Sequence, residues 1–100
     1  MDISAKEMLE RLERGEAMNI LDVREPIEFH TRNIGGLNIP LGNMEQQLDD
    51  LEWDKDDEII VVCRAGIRSA TAKSILALNG YENIRNLSGG LMALQKIQLL

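Results

Sequence analysis

The most informative stretch of the chain is Glu58-Ile59-Ile60-Val61-Val62-Cys63-Arg64-Ala65-Gly66-Ile67-Arg68-Ser69, an apolar run followed by a short loop. The apolar residues 59–62 are continuous rather than alternating, which is typical of a parallel strand that is buried on both faces. Residues 70–79 follow the loop and favour a helix. A buried strand, a glycine-containing loop and a helix in this order predict an α/β fold.

Cys63, the only cysteine, comes directly after the predicted strand. At this place a thiol faces the unpaired N–H groups and the positive end of the following helix, which favour the reactive thiolate. Arg64 and Arg68 add two positive charges. The pattern predicts an anion-binding loop around an ionised sulfur that solvent can reach. The alternative is a small buried apolar side chain, which is the usual state of a lone cysteine.

The composition of the chain limits the number of domains, the classes of partner and the cellular compartment that we expect. One hundred residues correspond to one domain, residues 1–100. The net charge of −6 argues against general nucleic-acid binding, and no apolar run is long enough to span a membrane. A single cysteine cannot form an internal disulfide, and the first residues lack a signal-peptide pattern. We therefore expect a cytoplasmic protein with neither a nucleic-acid nor a membrane partner.

Helix and strand patterns alternate along the rest of the chain. Further strands are predicted at residues 19–23, 37–39 and 84–87, and helices after Ser4, at Pro26, and over residues 44–51 and 91–98. We expect the apolar residues 97–100 either to pack on the body of the protein or to mark a piece of a longer chain. In a parallel sheet the ligand site lies at the carboxyl ends of the strands, where Cys63 is placed.

Four segments in order carry a resemblance to a known family. The loop from Cys63 to Ser69 resembles the active-site loop of the rhodanese family. The segments 21–25 and 34–40 resemble the first and second signatures of that family, and Leu87-Ser88-Gly89-Gly90 resembles the glycine pair before its last helix. The resemblance implies a single rhodanese-like α/β domain with a mostly parallel five-stranded sheet and helices on both faces.

The resemblance also implies sulfur transfer. The Cys63 thiolate would attack the outer sulfur of thiosulfate or a related small anionic donor, and sulfite would leave. A thiophilic acceptor, either cyanide or a thiol, would then take the sulfur from the Cys63 persulfide. This chemistry requires neither a metal nor an organic cofactor.

The loop residues divide into a nucleophile and its surroundings. Cys63 is the predicted catalytic residue, and Arg68 is the main candidate for binding the oxyanion of the donor. Arg64 would recruit the anion at the rim, unless it is only solvated, and Ser69 would either donate to the sulfur or cap the helix. The predicted substrate-binding set is Arg64, Ala65, Gly66, Ile67, Arg68 and Ser69.

Two segments outside the cysteine loop carry further predictions about structure. Asp22 and Arg24 are predicted to form a pair that braces the cysteine loop from below. Arg32-Asn33 stands where the family often has a Gly-His pair, and we expect this departure to change packing or partner choice rather than activity.

Other functions compete with sulfur transfer. A cysteine-dependent phosphatase or arsenate reductase has one residue more between its cysteine and arginine than the four that separate Cys63 from Arg68. A cysteine protease would need a histidine base, and His30, the only histidine, is predicted to lie on the surface. A non-catalytic binding module is a further alternative, as is a persulfide carrier that hands its sulfur to another protein.

Overall fold

A parallel sheet forms the centre of the protein. The computed structural model describes residues 1–98. Its strands are β1 (Ile20–Asp22), β2 (Leu37–Asn38), β3 (Ile59–Val62) and β4 (Ile84–Asn86). They are arranged in the order β2-β1-β3-β4, and each neighbouring pair is parallel. The predicted α/β class is confirmed, and the strand that precedes the cysteine lies inside the sheet.

The expectation of five strands is wrong, because the sheet has four. The segment that comes nearest to a fifth strand is the amino terminus, where Ile3 forms a single parallel bridge with Leu87. The next residue, Ser4, already caps the first helix, and its Oγ accepts a hydrogen bond from the N–H of Glu7 at 3.0 Å. The chain therefore turns into a helix before it can extend the pairing.

In the part of the chain that the structure describes, five helices surround the sheet: α1 (Ala5–Glu13), α2 (Pro26–Thr31), α3 (Met44–Gln47), α4 (Ile67–Leu78) and α5 (Gly90–Gln98). Pro26 occupies the start of α2, as predicted, and short 3-10 turns adjoin α3 on both sides. Within residues 1–98, no helix is long and apolar enough to cross a membrane.

The side chains of β3 alternate between two separate apolar cores. Ile59, Val61 and Cys63 belong to the core that also contains residues of α3 and α4. Ile60 and Val62 belong to the core that contains residues of α1 and α5. Since both faces of β3 are covered, its residues are apolar without interruption. Ile97 packs against the second core, whereas Leu99 and Leu100 lie outside the described residues.

Candidate active site

The cysteine loop (residues 63–69) lies at the carboxyl edge of the sheet. Cys63 follows β3 directly, and Gly66 is the residue that caps the amino end of α4. Gly66 has a φ of 93°, a left-handed conformation that glycine adopts without strain. This turn reverses the chain between the strand and the helix and directs amide groups toward the cysteine.

Three hydrogen-bonding groups converge on the Sγ atom of Cys63. The N–H of Gly66 donates to it at 3.1 Å and the N–H of Ser69 at 3.3 Å. The hydroxyl oxygen of Ser69 lies 3.2 Å from the sulfur. The expected cradle of main-chain donors is therefore present, and it provides partial positive charge where a thiolate carries its negative charge.

The environment lowers the pKa of the Cys63 thiol. Burial is the largest single effect, and it raises the pKa because a charged sulfur loses solvation. The hydroxyl of Ser69 and the amides of Ser69, Gly66 and Ala65 act in the opposite direction, and together they outweigh burial. The thiolate is thus favoured relative to an unperturbed cysteine, and hydrogen bonds are the cause.

The expectation that solvent reaches the sulfur is wrong for this conformation. Cys63 is only 1% exposed and forms part of an apolar core, although Arg64 and Ala65 directly after it are exposed. Burial of this sulfur does not leave it without partners, because the amides still point toward it. A reaction at Cys63 therefore requires movement of the side chain or of the exposed part of the loop.

Asn86 is a site residue that the sequence did not indicate. It ends β4, and its Oδ1 accepts a hydrogen bond from the hydroxyl of Ser69, while its Nδ2 donates to the carbonyl of Gly66 at 3.1 Å. A hydroxyl has only one proton, so Ser69 cannot donate to Asn86 and to Cys63 at once. Either the thiol or the hydroxyl can be the donor in the contact between Cys63 and Ser69, and donation to a thiolate requires the Ser69 proton to turn away from Asn86. The sequence signal that could have identified Asn86 was its position at the end of a predicted parallel strand.

Arg68 is paired with an acidic residue from α2. Its Nη1 and Nη2 atoms lie 2.6 and 3.0 Å from the two carboxylate oxygens of Glu28. The hydrogen bond from Arg68 is the main cause that lowers the pKa of Glu28 to about 2. Glu28 therefore neutralises part of the positive charge of Arg68, which we expect to bind the oxyanion of the donor. The role of Arg68 in donor binding stays a prediction.

The remaining loop residues lie on the surface. Ala65 and Ile67 are exposed, and Ile67 has 77% of its surface accessible. Arg64 is also exposed, and it lines a cavity on the side of the loop that faces α5. Their predicted part in substrate binding stays a prediction.

The amino end of α5 holds the loop from behind. The N–H groups of Leu91 and Met92 donate to the carbonyls of Cys63 and Arg64, both at 2.9 Å. Gly90 comes so close that a Cβ atom there would lie 2.4 Å from the Arg64 oxygen. Gly90 therefore allows the chain to pass close to the cysteine loop.

The predicted pair of Asp22 and Arg24 is present, but it contacts a different segment. Both side chains are buried, and Arg24 Nη2 lies 2.8 Å from Asp22 Oδ2. The same Nη2 donates to the carbonyl of Arg32 at 2.7 Å. The hydrogen bonds of this pair therefore position residue 32 rather than the cysteine loop. His30 is exposed, as predicted.

Comparisons with known proteins agree with this geometry. The family model of the rhodanese-like domain matches residues 4–97. Thiosulfate sulfurtransferase PspE of Escherichia coli is 36% identical over 81 residues, which cover 78% of this chain and 77% of PspE. The structure of human single-domain sulfurtransferase TSTD1 is similar with a TM-score of 0.79 and 25% identity, and the match covers 95% of each chain.

A longer relative also matches. The Bacillus subtilis protein named "Putative sulfur carrier protein YrkF" is 33% identical over 91 residues, or 90% of this chain. The match covers 48% of YrkF, so the chain spans about half the length of that relative.

Proposed function

Because the chain belongs to the rhodanese-like domain family, we propose that it is a sulfurtransferase that carries sulfane sulfur as a persulfide on Cys63. The donor is thiosulfate or a related small anion, and the acceptor is cyanide or a thiol. The observation that carries this proposal is the convergence of two N–H groups and one hydroxyl on the Cys63 sulfur within 3.3 Å.

In the first step the thiolate attacks the outer sulfur of thiosulfate. A new bond forms between Sγ and that sulfur, the S–S bond of thiosulfate breaks, and sulfite leaves with the bonding electrons. A sulfur–sulfur bond is about 2 Å long, so the transferred sulfur stands farther from the base of the loop than Sγ itself. The first step still requires the loop to admit the donor to Sγ, and the extension then makes the transferred sulfur easier for the acceptor to reach in the second step.

In the second step the acceptor attacks the outer sulfur of the persulfide. The bond between the two sulfurs of the enzyme breaks, and Cys63 leaves as a thiolate. The N–H groups of Gly66 and Ser69 stabilise this leaving group, because they already point to the position where its charge develops. The same donors thus serve the nucleophile of the first step and the leaving group of the second.

The proposal is tested by mass spectrometry of protein treated with thiosulfate, followed by an assay of thiocyanate after cyanide is added. We expect wild type to gain one sulfur atom and Cys63→Ser to gain none. An aryl phosphate is assayed in parallel. Phosphate release without thiocyanate formation would overturn the proposal in favour of a phosphatase.

A second candidate function is that of a persulfide carrier. The chain has one cysteine and thus no internal thiol to resolve the persulfide, and one relative is named as a sulfur carrier. A carrier would gain sulfur from thiosulfate but would form thiocyanate only slowly when cyanide is added. Multiple turnovers to thiocyanate would instead indicate an enzyme that acts on small molecules.

A further inference from the structure

A cavity beside the cysteine loop is not used by the mechanism described above. It has a volume of about 550 Å³, and it is formed by residues 32–34, Arg64 and α5. This volume lies within the range of about 300–1,000 Å³ that is usual for small-molecule sites.

The lining is cationic, although the chain as a whole is acidic. It contains no aspartate or glutamate, and three of its cations, Arg32, Arg64 and Lys96, are exposed. None of the three forms an ion pair within residues 1–98. Three positive charges that no acid of the described chain neutralises are available to an anionic ligand.

Arg32 is placed here by specific contacts of its backbone. Its carbonyl accepts the hydrogen bond from the buried Arg24 at 2.7 Å. Asn33 fixes the next turn, since its side chain donates to the carbonyl of Phe29 at 2.9 Å and accepts from the N–H of Gly35 at 2.8 Å. The segment that departs from the Gly-His pair of the family thus brings an additional cation to the cavity.

Apolar side chains supply the other part of the lining. Ile34 and Leu91 lie beside the cations, and Leu94 is almost completely buried. Such a surface accommodates a ligand whose charged groups are joined by a carbon skeleton. The small inorganic donor thiosulfate has no carbon skeleton. The cavity also touches the site, because Arg64 lines it and follows Cys63 directly.

We propose that this cavity binds the charged body of the sulfur acceptor, which is a low-molecular-weight thiol that carries two or more negative charges. This inference rests on the proposed function. The acceptor thiolate R–S⁻ attacks the outer sulfur of the protonated persulfide Cys63–S–SH, so that a bond forms between the acceptor sulfur and that outer sulfur and the bond to Sγ breaks. The products are R–S–SH and the Cys63 thiolate, and the reaction needs no oxidant or reductant.

The test uses persulfide-loaded protein and three thiols of increasing charge. These are 2-mercaptoethanol without a carboxylate, 3-mercaptopropionate with one and mercaptosuccinate with two, each at a matched thiolate concentration. We measure the rate constant with which each thiol removes the sulfur. The decisive quantity is the ratio of the mercaptosuccinate rate constant to the 2-mercaptoethanol rate constant.

We expect this ratio to fall about threefold to tenfold in Arg32→Gln and in Lys96→Gln, because each variant removes one charge-assisted contact. Arg14→Gln is the matched control. Arg14 is an exposed arginine just after α1, it is absent from the cavity lining, and its removal changes the net charge equally. A ratio that is the same in wild type, Arg32→Gln and Lys96→Gln overturns the inference.

Binding of succinate separates this inference from the proposed function, because it involves no sulfur chemistry. Amide chemical shifts of residues 32–34 and 91–96 report binding, and we expect the affinity to fall in Arg32→Gln. If thiosulfate adds no sulfur to Cys63, the proposed function fails while succinate still tests the cavity. Wild-type protein in which succinate shifts none of these amides overturns the cavity assignment, whatever Cys63 does.

Discussion

Two regions of the protein concentrate charge, and they stabilise it by different means. The first is the arginine–glutamate cluster, which consists of Arg11, Arg85, Glu7 and Glu58. The second is the cysteine loop. In the cluster, side-chain charges of opposite sign meet, with Arg11 2.6 Å from Glu58 and Arg85 2.8 Å from Glu7. In the loop, the sulfur is held by main-chain N–H groups and one hydroxyl.

The difference shows which region is suited to a ligand. The cluster satisfies its own charges, so an incoming anion would have to replace a carboxylate that is already bound. At the loop, the donors face an atom that can be neutral or charged. The cations Arg64, Arg32 and Lys96, which line the adjoining cavity, have no ion-pair partner within residues 1–98. We infer that the cluster supports stability and that the loop with its neighbouring cations supports function.

The largest expected effect is that of Cys63→Ala on sulfur transfer. Removal of the nucleophile removes the covalent step, so we expect thiocyanate formation to fall at least about a thousandfold with the circular dichroism of the fold unchanged. Glu58→Gln, in the cluster, is the control and is expected to keep full activity. Substantial transfer by Cys63→Ala would contradict the assignment of the nucleophile.

Gly90→Ala is expected to lower the free energy of unfolding by about 3 kcal/mol. The new Cβ would lie 2.4 Å from the Arg64 oxygen, and the backbone has a φ of 65°. Urea denaturation measures the effect. Gly42→Ala is the matched control, because a Cβ at Gly42 meets no atom within 4 Å, and we expect a change within about 0.5 kcal/mol. Equal stabilities of the two variants would show that backbone packing does not hold the loop.

Ser69→Ala is expected to raise the pKa of Cys63, since the hydrogen bond from the hydroxyl that lowers it is lost. The thiolate fraction rises with pH, so the titration of thiolate absorbance should shift to higher pH, with less thiolate at pH values below the wild-type pKa. Ser74→Ala removes an exposed hydroxyl from the same helix and should leave the pH dependence of the thiolate absorbance unchanged. A titration unchanged by Ser69→Ala would exclude the hydroxyl as a stabiliser of the thiolate.

Arg68 and Glu28 together test whether the loop uses side-chain charge as well. If Arg68 binds thiosulfate, Arg68→Ala raises the KM for thiosulfate, and Glu28→Gln lowers it because the guanidinium is no longer neutralised. Changes of about threefold are expected for this half-exposed pair. Lys73→Ala removes a similarly exposed cation from α4 and is expected to keep the wild-type KM. An unchanged KM in both loop variants would remove Arg68 from donor binding.

The smallest expected effect concerns the cluster. The hydrogen bond from Arg11 is the main cause that lowers the pKa of Glu58 below its ordinary 4.5. A carboxylate whose pKa is lower in the folded state stabilises the protein above its unfolded pKa and loses this contribution as the pH falls. Glu58→Gln should therefore cost about 0.5 kcal/mol at neutral pH and flatten the loss of stability below about pH 4.5. If the free energy of unfolding falls identically with pH in wild type and in Glu58→Gln, the ion pairs of Glu58 contribute nothing to stability.

Local patterns predicted most of the fold. The uninterrupted apolar residues of β3 indicated a strand covered on both faces, and the glycine-containing segment after them indicated a loop before a helix. The number of strands was predicted incorrectly, because a strand exists only where a partner offers a continuous edge. Ile3 forms one bridge before α1 begins, so the pairing does not extend into a fifth strand.

The candidate site likewise contains residues that the sequence predicted and residues that only the tertiary structure brings together. Cys63, Gly66 and Ser69 are near neighbours in the chain, so their pattern alone predicted a cradle around the sulfur. Asn86 and Glu28 are distant in sequence, and only the packing of β4 and α2 against the loop brings them to it. Burial of the sulfur could not be predicted, because it depends on how closely the loop and the core cover that side chain.

The amino-acid order alone specified the buried central strand, the thiol at its carboxyl end and the glycine that turns amides toward it, because each depends on residues that are adjacent in the chain. Folding in three dimensions added the partners of Ser69 and Arg68, the cover over the sulfur and the cationic cavity. These features combine side chains from segments more than sixty residues apart, such as Arg32 and Lys96. Their contacts form only when helices and strands pack, and no local sequence pattern encodes such a distance.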